Sequence, residues 1–140
     1  SNSTTGAYGS NQITGIEFDN DSTTGSSAID VVFNRIHDLT IGDAARVWGG
    51  YQTDGINVVG NGSKVTRALR VIGNHITNVG EGIDCFGDDN VIEGNHFERI
   101  YLWAVKLIHG ASRNQVSGNI IKAVSLGGVV CNSSSTAGAT

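Results

Sequence analysis

Apolar and polar positions between Ala68 and Ser133 fall into three versions of one pattern: ALRVIGNHITNVGEGIDCFG from 68 to 87, NVIEGNHFERIYLWAVKLIHG from 90 to 110, and NQVSGNIIKAVSLGGVVCNS from 114 to 133. Each opens with a short apolar strand, passes through Gly-Asn, an apolar pair and a variable turn, and closes on a second strand of alternating apolar residues. Aligning the closing strands carries the repeat backwards, because Gly55-Ile56-Asn57-Val58 and Gly15-Ile16-Glu17-Phe18 match Gly82-Ile83-Asp84-Cys85. The leading apolar positions are then Ile16, Ile56, Ile83, Val105 and Val129, spaced by 40, 27, 22 and 24 residues. Such spacings between short strands predict an all-β solenoid of about five coils, in which a coil buries its apolar face only by stacking on its neighbours. The long first interval reads as an insertion from Gly42 to Asp54.

Period-2 alternation in the closing strands turns Ile16/Phe18, Ile56/Val58, Ile83/Cys85, Val105/Leu107 and Val129/Cys131 inward. From the opening strands, Ile29/Val31, Leu69/Val71, Val91 and Val116 are the expected core members. Cys85 and Cys131 share one inward column two coils apart, about 10 Å at the usual strand spacing and beyond the reach of a disulfide. Both are expected to be buried free thiols. A further column, Asn34, Asn74, Asn95 and Asn119, has Gly before its last three members. Asn tolerates the left-handed backbone of a sharp bend, and stacked Asn side chains can hydrogen-bond from coil to coil.

This combination, G-N-x-[IF] followed about nine residues later by G-I-x-h, resembles the right-handed parallel β-helix of the pectate-lyase-like superfamily, which includes phage tailspikes, polysaccharide lyases and alginate epimerases. The resemblance covers residues 13–133, with residues 1–12 and 134–140 expected to be flexible. It implies a polysaccharide-engaging protein at an extracellular or virion surface, a homotrimer if of tailspike type and a monomer if a lyase or epimerase. It is specific for architecture and weak for activity.

The net charge of -4 and the lack of a Lys/Arg cluster exclude the concentrated basic face that nucleic acid requires. No apolar run reaches the length of a membrane span. The chain holds no Met, which reads as a piece of a larger protein. Neither CxxC nor a Cys/His zinc spacing is present, and the pattern calls for no cofactor and no metal.

Candidate chemistry gathers beside the closing strand. Between its inward residues lies the outward column Glu17, Asn57, Asp84, Lys106 and Val130, read either as a lateral ligand site or as a solvated face with an Asp84/Lys106 ion pair. The turn entering that strand carries Trp48 and Tyr51, then Glu81, then Glu98, Tyr101 and Trp103. Aromatic faces stack on sugar rings and carboxylates accept sugar hydroxyls, so Trp48, Tyr51, Asn57, Tyr101 and Trp103 are the candidate substrate-binding residues of a glycan groove. The same aromatics would equally pack a long turn or a subunit interface. Hydrolysis needs two carboxyls, about 5 to 5.5 Å apart for retention or 6.5 to 9.5 Å for inversion. Asp84 with Glu81, or Asp84 with Glu98, are the candidate pairs. Lyase or epimerase chemistry would need a base and a neutralising cation, for which Lys106 is available only if its pKa is lowered, whereas a facing Asp84 would raise it. Arg46, Arg67, Arg70, Arg99 and Arg113 are scattered, which favours hydrolase over lyase. His109 is a candidate proton carrier. His75 and His96 stack in another outward column with Arg35, where a metal or proton-transfer role competes with incidental surface histidines. Asp88 and Asp89 lie in the turn Gly87-Asp88-Asp89-Asn90 and are read as turn residues, with a calcium site of few oxygens as the alternative. The alternative to a glycan-active protein is a purely structural solenoid, a fibre shaft or adhesin segment.

Overall fold

A computed structural model of the chain describes residues 13–18, 28–39, 53–58, 67–108 and 110–132. Residues 1–12 and 134–140, Trp48, Tyr51 and His109 lie outside these. The described residues form an all-β parallel β-helix with three strands to a coil. The strands are β1 (Ile13–Phe18), β2 (Asp30–Val32), β3 (Arg35–Leu39), β4 (Thr53–Val58), β5 (Arg70–Ile72), β6 (His75–Val79), β7 (Glu81–Cys85), β8 (Val91–Glu93), β9 (His96–Ile100), β10 (Trp103–Ile108), β11 (Gln115–Ser117), β12 (Ile120–Val124) and β13 (Gly127–Asn132). They stack into three parallel sheets, β1-β4-β7-β10-β13, β2-β5-β8-β11 and β3-β6-β9-β12. The apolar pair after Gly-Asn is therefore a strand in its own right.

Backbone torsions explain the three-sided section. In each coil, left-handed residues recur every five positions: Ala28, Phe33 and Asp38; Ala68, Gly73 and Asn78; Asp89, Gly94 and Arg99; Arg113, Gly118 and Ala123. A residue with positive φ reverses the local course of an extended chain, and outside Gly, Asn and Asp it is held there only by its surroundings. The expectation that the Asn column itself takes this conformation is corrected: the left-handed residue is the one before each Asn.

Freed from that duty, the Asn column works as a hydrogen-bonded ladder. Nδ2 of Asn34, Asn74 and Asn95 each donates to Oδ1 of the next Asn at 3.0 Å. The backbone N–H of each donates to the same oxygen at 2.9 Å. Nδ2 of Asn74 and Asn95 also donates 2.8 Å back to the carbonyls of Val31 and Val71. A second, shorter pair turns another corner, where Leu69 N–H donates to Asn90 Oδ1 and Asn90 N–H to Asn114 Oδ1.

Like residues stack in the core. Ile16, Ile56, Ile83, Val105 and Val129 pair in register, as anticipated. Val31, Val71, Ile92 and Val116 form a second column, and Ile36, Ile76, Phe97 and Ile121 a third. Val91 is not a core residue: it pairs with Arg70 on the outer side, and Ile92 is the buried member of that strand. Cys85 is buried but Cys131 is exposed, and Val129 two residues before it in β13 is 48% exposed, because β13 pairs on one side only among the described strands. Both thiols are free.

Asn95→Leu removes both a donor and an acceptor from a fully buried rung. The unfolding free energy in urea should fall by about 1 to 3 kcal/mol, the cost of leaving buried partners unsatisfied, and an unchanged value would remove the ladder from the account of stability.

Candidate functional site

Along β4 and β7 the strict alternation fails at a glycine, and this failure builds the site. A Cβ placed on Gly82 would lie 2.3 Å from the Ala104 carbonyl oxygen and 2.7 Å from Phe97 Cδ1, so this position faces the core. Ile83 after it also faces the core. Gly55 sits in the same way against Ile76. Ladder pairing steps over the glycines, from Asp54↔Glu81 to Ile56↔Ile83. With two successive inward positions, residues three apart share the outer side, so Asp54 joins Asn57 and Glu81 joins Asp84.

The result is a buried charge cluster. Carboxylate oxygens of Asp54, Glu81 and Asp84 lie within 4.8 Å of one another. From the next coil, Lys106 Nζ donates to Glu81 Oε2 at 2.6 Å and meets Asp84 Oδ2 at 2.9 Å. The Lys106 ammonium also stands 5.5 Å from the Trp103 ring centroid, a cation–π distance. Asp54, Asp84, Glu81 and Lys106 are 0, 1, 3 and 7% exposed. Asn57 is 4% exposed, and its Oδ1 has no hydrogen-bond partner among the described residues, leaving an acceptor for a bound donor. A solvated face is therefore corrected to a buried one, while the Asp84/Lys106 ion pair is present as expected. Glu17 remains exposed at the start of the column.

Burial sets the protonation. Desolvation, then the neighbouring Asp84 charge, push the Glu81 carboxyl up to about 7, and Lys106 only partly opposes them. For Lys106, desolvation pulls downward, but the charges and hydrogen bonds of Asp84 and Glu81 outweigh it and hold the ammonium above the usual lysine value. Lys106 is thus a fixed cation rather than a base. The three carboxyls offer oxygen ligands of the kind a hard cation takes, and the Lys106 ammonium supplies that counter-charge to Glu81 and Asp84.

Glu98 is not part of this cluster. It lies on β9 in the β3-β6-β9-β12 sheet, in register with Thr77 and Lys122, with its carboxylate 3.3 Å from Arg99 Nη1. Tyr101 and Trp103 are both half-buried. The Tyr101 hydroxyl donates to Asn78 Oδ1 at 2.6 Å, so it ties the turn to the neighbouring coil. Asp89 takes the left-handed conformation of a turn residue, but the side chains of both aspartates reach the next coil: Asp88 accepts from the Ser112 N–H and hydroxyl, and Asp89 pairs with Arg113. The residue missed is Asp54, assigned to the insertion although it stands in β4. Its signal was the repeat itself, since Asp54-Gly55-Ile56-Asn57 parallels Glu81-Gly82-Ile83-Asp84.

Comparison with protein-family models, curated proteins and solved structures finds no match to this chain.

Two outcomes test the cluster. The folded chain holds the Glu81 proton to about 7 against an ordinary 4.5, so between these values it binds more protons than the unfolded chain. Its unfolding free energy should therefore fall as pH rises from 4.5 to about 7 and level off above. Asp38 and Asp89, held below 3.8 chiefly by hydrogen bonds from Asn78 and Arg113, titrate beneath that window. Urea titrations of the parent and Glu81→Gln should differ by the loss of this slope. Lys106→Met strands buried carboxylates and should cost about 3 to 5 kcal/mol; Glu81→Gln/Asp84→Asn/Lys106→Met together should recover much of it.

Proposed function

We propose that this β-helix engages a polysaccharide along the β1-β4-β7-β10-β13 sheet and cleaves it by hydrolysis, in the manner of a tailspike at an extracellular or virion surface. The observation that carries the reading is a pair of adjacent carboxyls that share one ammonium, Lys106 Nζ lying 2.6 Å from Glu81 Oε2 and 2.9 Å from Asp84 Oδ2, of which Glu81 keeps its proton to about 7. A carboxyl that keeps its proton near neutrality beside a second acid is the working arrangement of glycoside hydrolysis. Glu81 gives its proton to the glycosidic oxygen as the C–O bond breaks, and the Asp84 carboxylate takes the anomeric carbon. Water, deprotonated by Glu81, then releases the sugar and restores both groups. One oxygen of each acid lies within 4.8 Å of the other, near enough for the two to flank one glycosidic bond. Asn57 Oδ1 supplies an acceptor for a sugar hydroxyl, and Trp103 and Tyr101 supply aromatic surface at the strand entry. A Lys106 held cationic argues against its use as a lyase base.

The near-complete burial of Asp54, Glu81, Asp84 and Lys106 favours a second reading, a structural solenoid whose charge cluster holds neighbouring coils together. Reducing-end release from neutral and uronate-containing polysaccharides separates the two. Hydrolytic products, lowered about 10²-fold or more by Glu81→Gln and by Asp84→Asn with circular dichroism unchanged, are expected. Unsaturated products would replace hydrolysis by elimination. Binding without products would make the sheet a recognition surface, and no binding, with both variants altering only the melting midpoint, would leave the structural solenoid.

A further inference from the structure

The β3-β6-β9-β12 sheet carries a second polar face. Register aligns Arg35, His75, His96 and Ile120 in one outer column and His37, Thr77, Glu98 and Lys122 in the next. The imidazoles of His75 and His96 are stacked, with centroids 4.7 Å apart and planes 13° apart. Nε2 of each ring is shut off from solvent and has no hydrogen-bond partner among the described residues. Buried ring nitrogens ordinarily find partners, and two in adjacent coils that do not are unexplained by the fold. Glu98 follows His96 by two residues in β9 and so shares its face. One ring nitrogen of each histidine and one Glu98 oxygen lie within 4.8 Å of one another.

We propose that His75, His96 and Glu98 bind one divalent transition-metal ion of the zinc class. Imidazole donors select such ions over magnesium or calcium, which prefer all-oxygen sets. Bonds of about 2.0 to 2.2 Å place tetrahedral donors about 3.3 to 3.6 Å apart, so the rings tilt out of their stack toward the ion and Glu98 turns to meet it. The contact Glu98 surrenders is its exposed 3.3 Å approach to Arg99, a weak one. The Arg99 guanidinium keeps its 3.1 Å bond to Thr77 Oγ1. Three protein donors leave a position for water, and the ion staples two consecutive coils. Because such a site exists only when the coils are stacked, binding stabilises the folded chain.

The test is titration of the tag-free chain with zinc chloride, read by calorimetry and by the imidazole resonances of its four histidines. One ion per chain, shifts in the His75 and His96 resonances, and a zinc-dependent rise in the melting midpoint are expected. The His75→Gln and His96→Gln variants should each weaken binding about tenfold or more, and Glu98→Gln should also weaken it. Absence of saturable binding overturns the site. So does saturable binding that survives both histidine variants, or that is lost instead in Asp84→Asn. If a histidine variant does not fold, the parent resonances decide alone: shifts confined to His37 or His109, or to none, overturn the proposal.

Discussion

Parallel in-register pairing means that each residue of a coil sits on its counterpart one strand spacing away, about 4.8 Å. The Asn ladder enforces this most strictly. The side-chain amide and the backbone N–H of one rung both donate to the side-chain oxygen of the next, at 3.0 and 2.9 Å, and a slip of one residue would bring them against glycine in one direction and against His75, His96 or Ile120 in the other. With the rungs so fixed, valine meets isoleucine in one column, isoleucine meets phenylalanine in another, and the left-handed corners fall one above the next. Sites then arise wherever a column happens to be polar.

Stacking is indifferent to what it stacks, and charge is where this matters. Asp54 lies in register with Glu81, two acids that repel in a dry setting. The arrangement holds because Lys106 arrives from the following coil and because one acid keeps a proton near neutrality. Removing water strengthens both the repulsion and the attraction. The balance point, not either partner alone, decides the state of the cluster.

Much of this was legible in the chain. The five leading apolar positions and the Asn column repeat openly enough to set coil count and register. What escaped has physical reasons. The corners at Ala68, Asn78, Arg99 and Ala123 carry no common residue, since packing rather than propensity holds them left-handed, so a third strand per coil stayed hidden. Assumed alternation placed Val91 inward in place of Ile92. The same assumption could not see that a core-facing glycine returns Asp54 and Glu81 to the side of Asn57 and Asp84. Burial of that side was equally invisible, because strand patterns report which residues share a face and not what covers it. Glu98 was drawn toward Asp84 by its nearness in sequence, whereas a corner separates them.

The segments Ala28 to Leu39, Ala68 to Val79, Asp89 to Ile100 and Arg113 to Val124 are equal in length and align residue for residue. All the variation in coil length therefore falls on the two stretches that border the carboxylate sheet. Val79 stands two residues before Glu81, while the matching Leu39 is far from Asp54. Lengthening a loop costs only in proportion to the logarithm of its length, so those stretches can be exchanged or extended without disturbing a rung. The fold keeps its inheritance of shape on two sides and leaves the third free to diversify, which is how one scaffold can keep its stability while the surroundings of its charged face change.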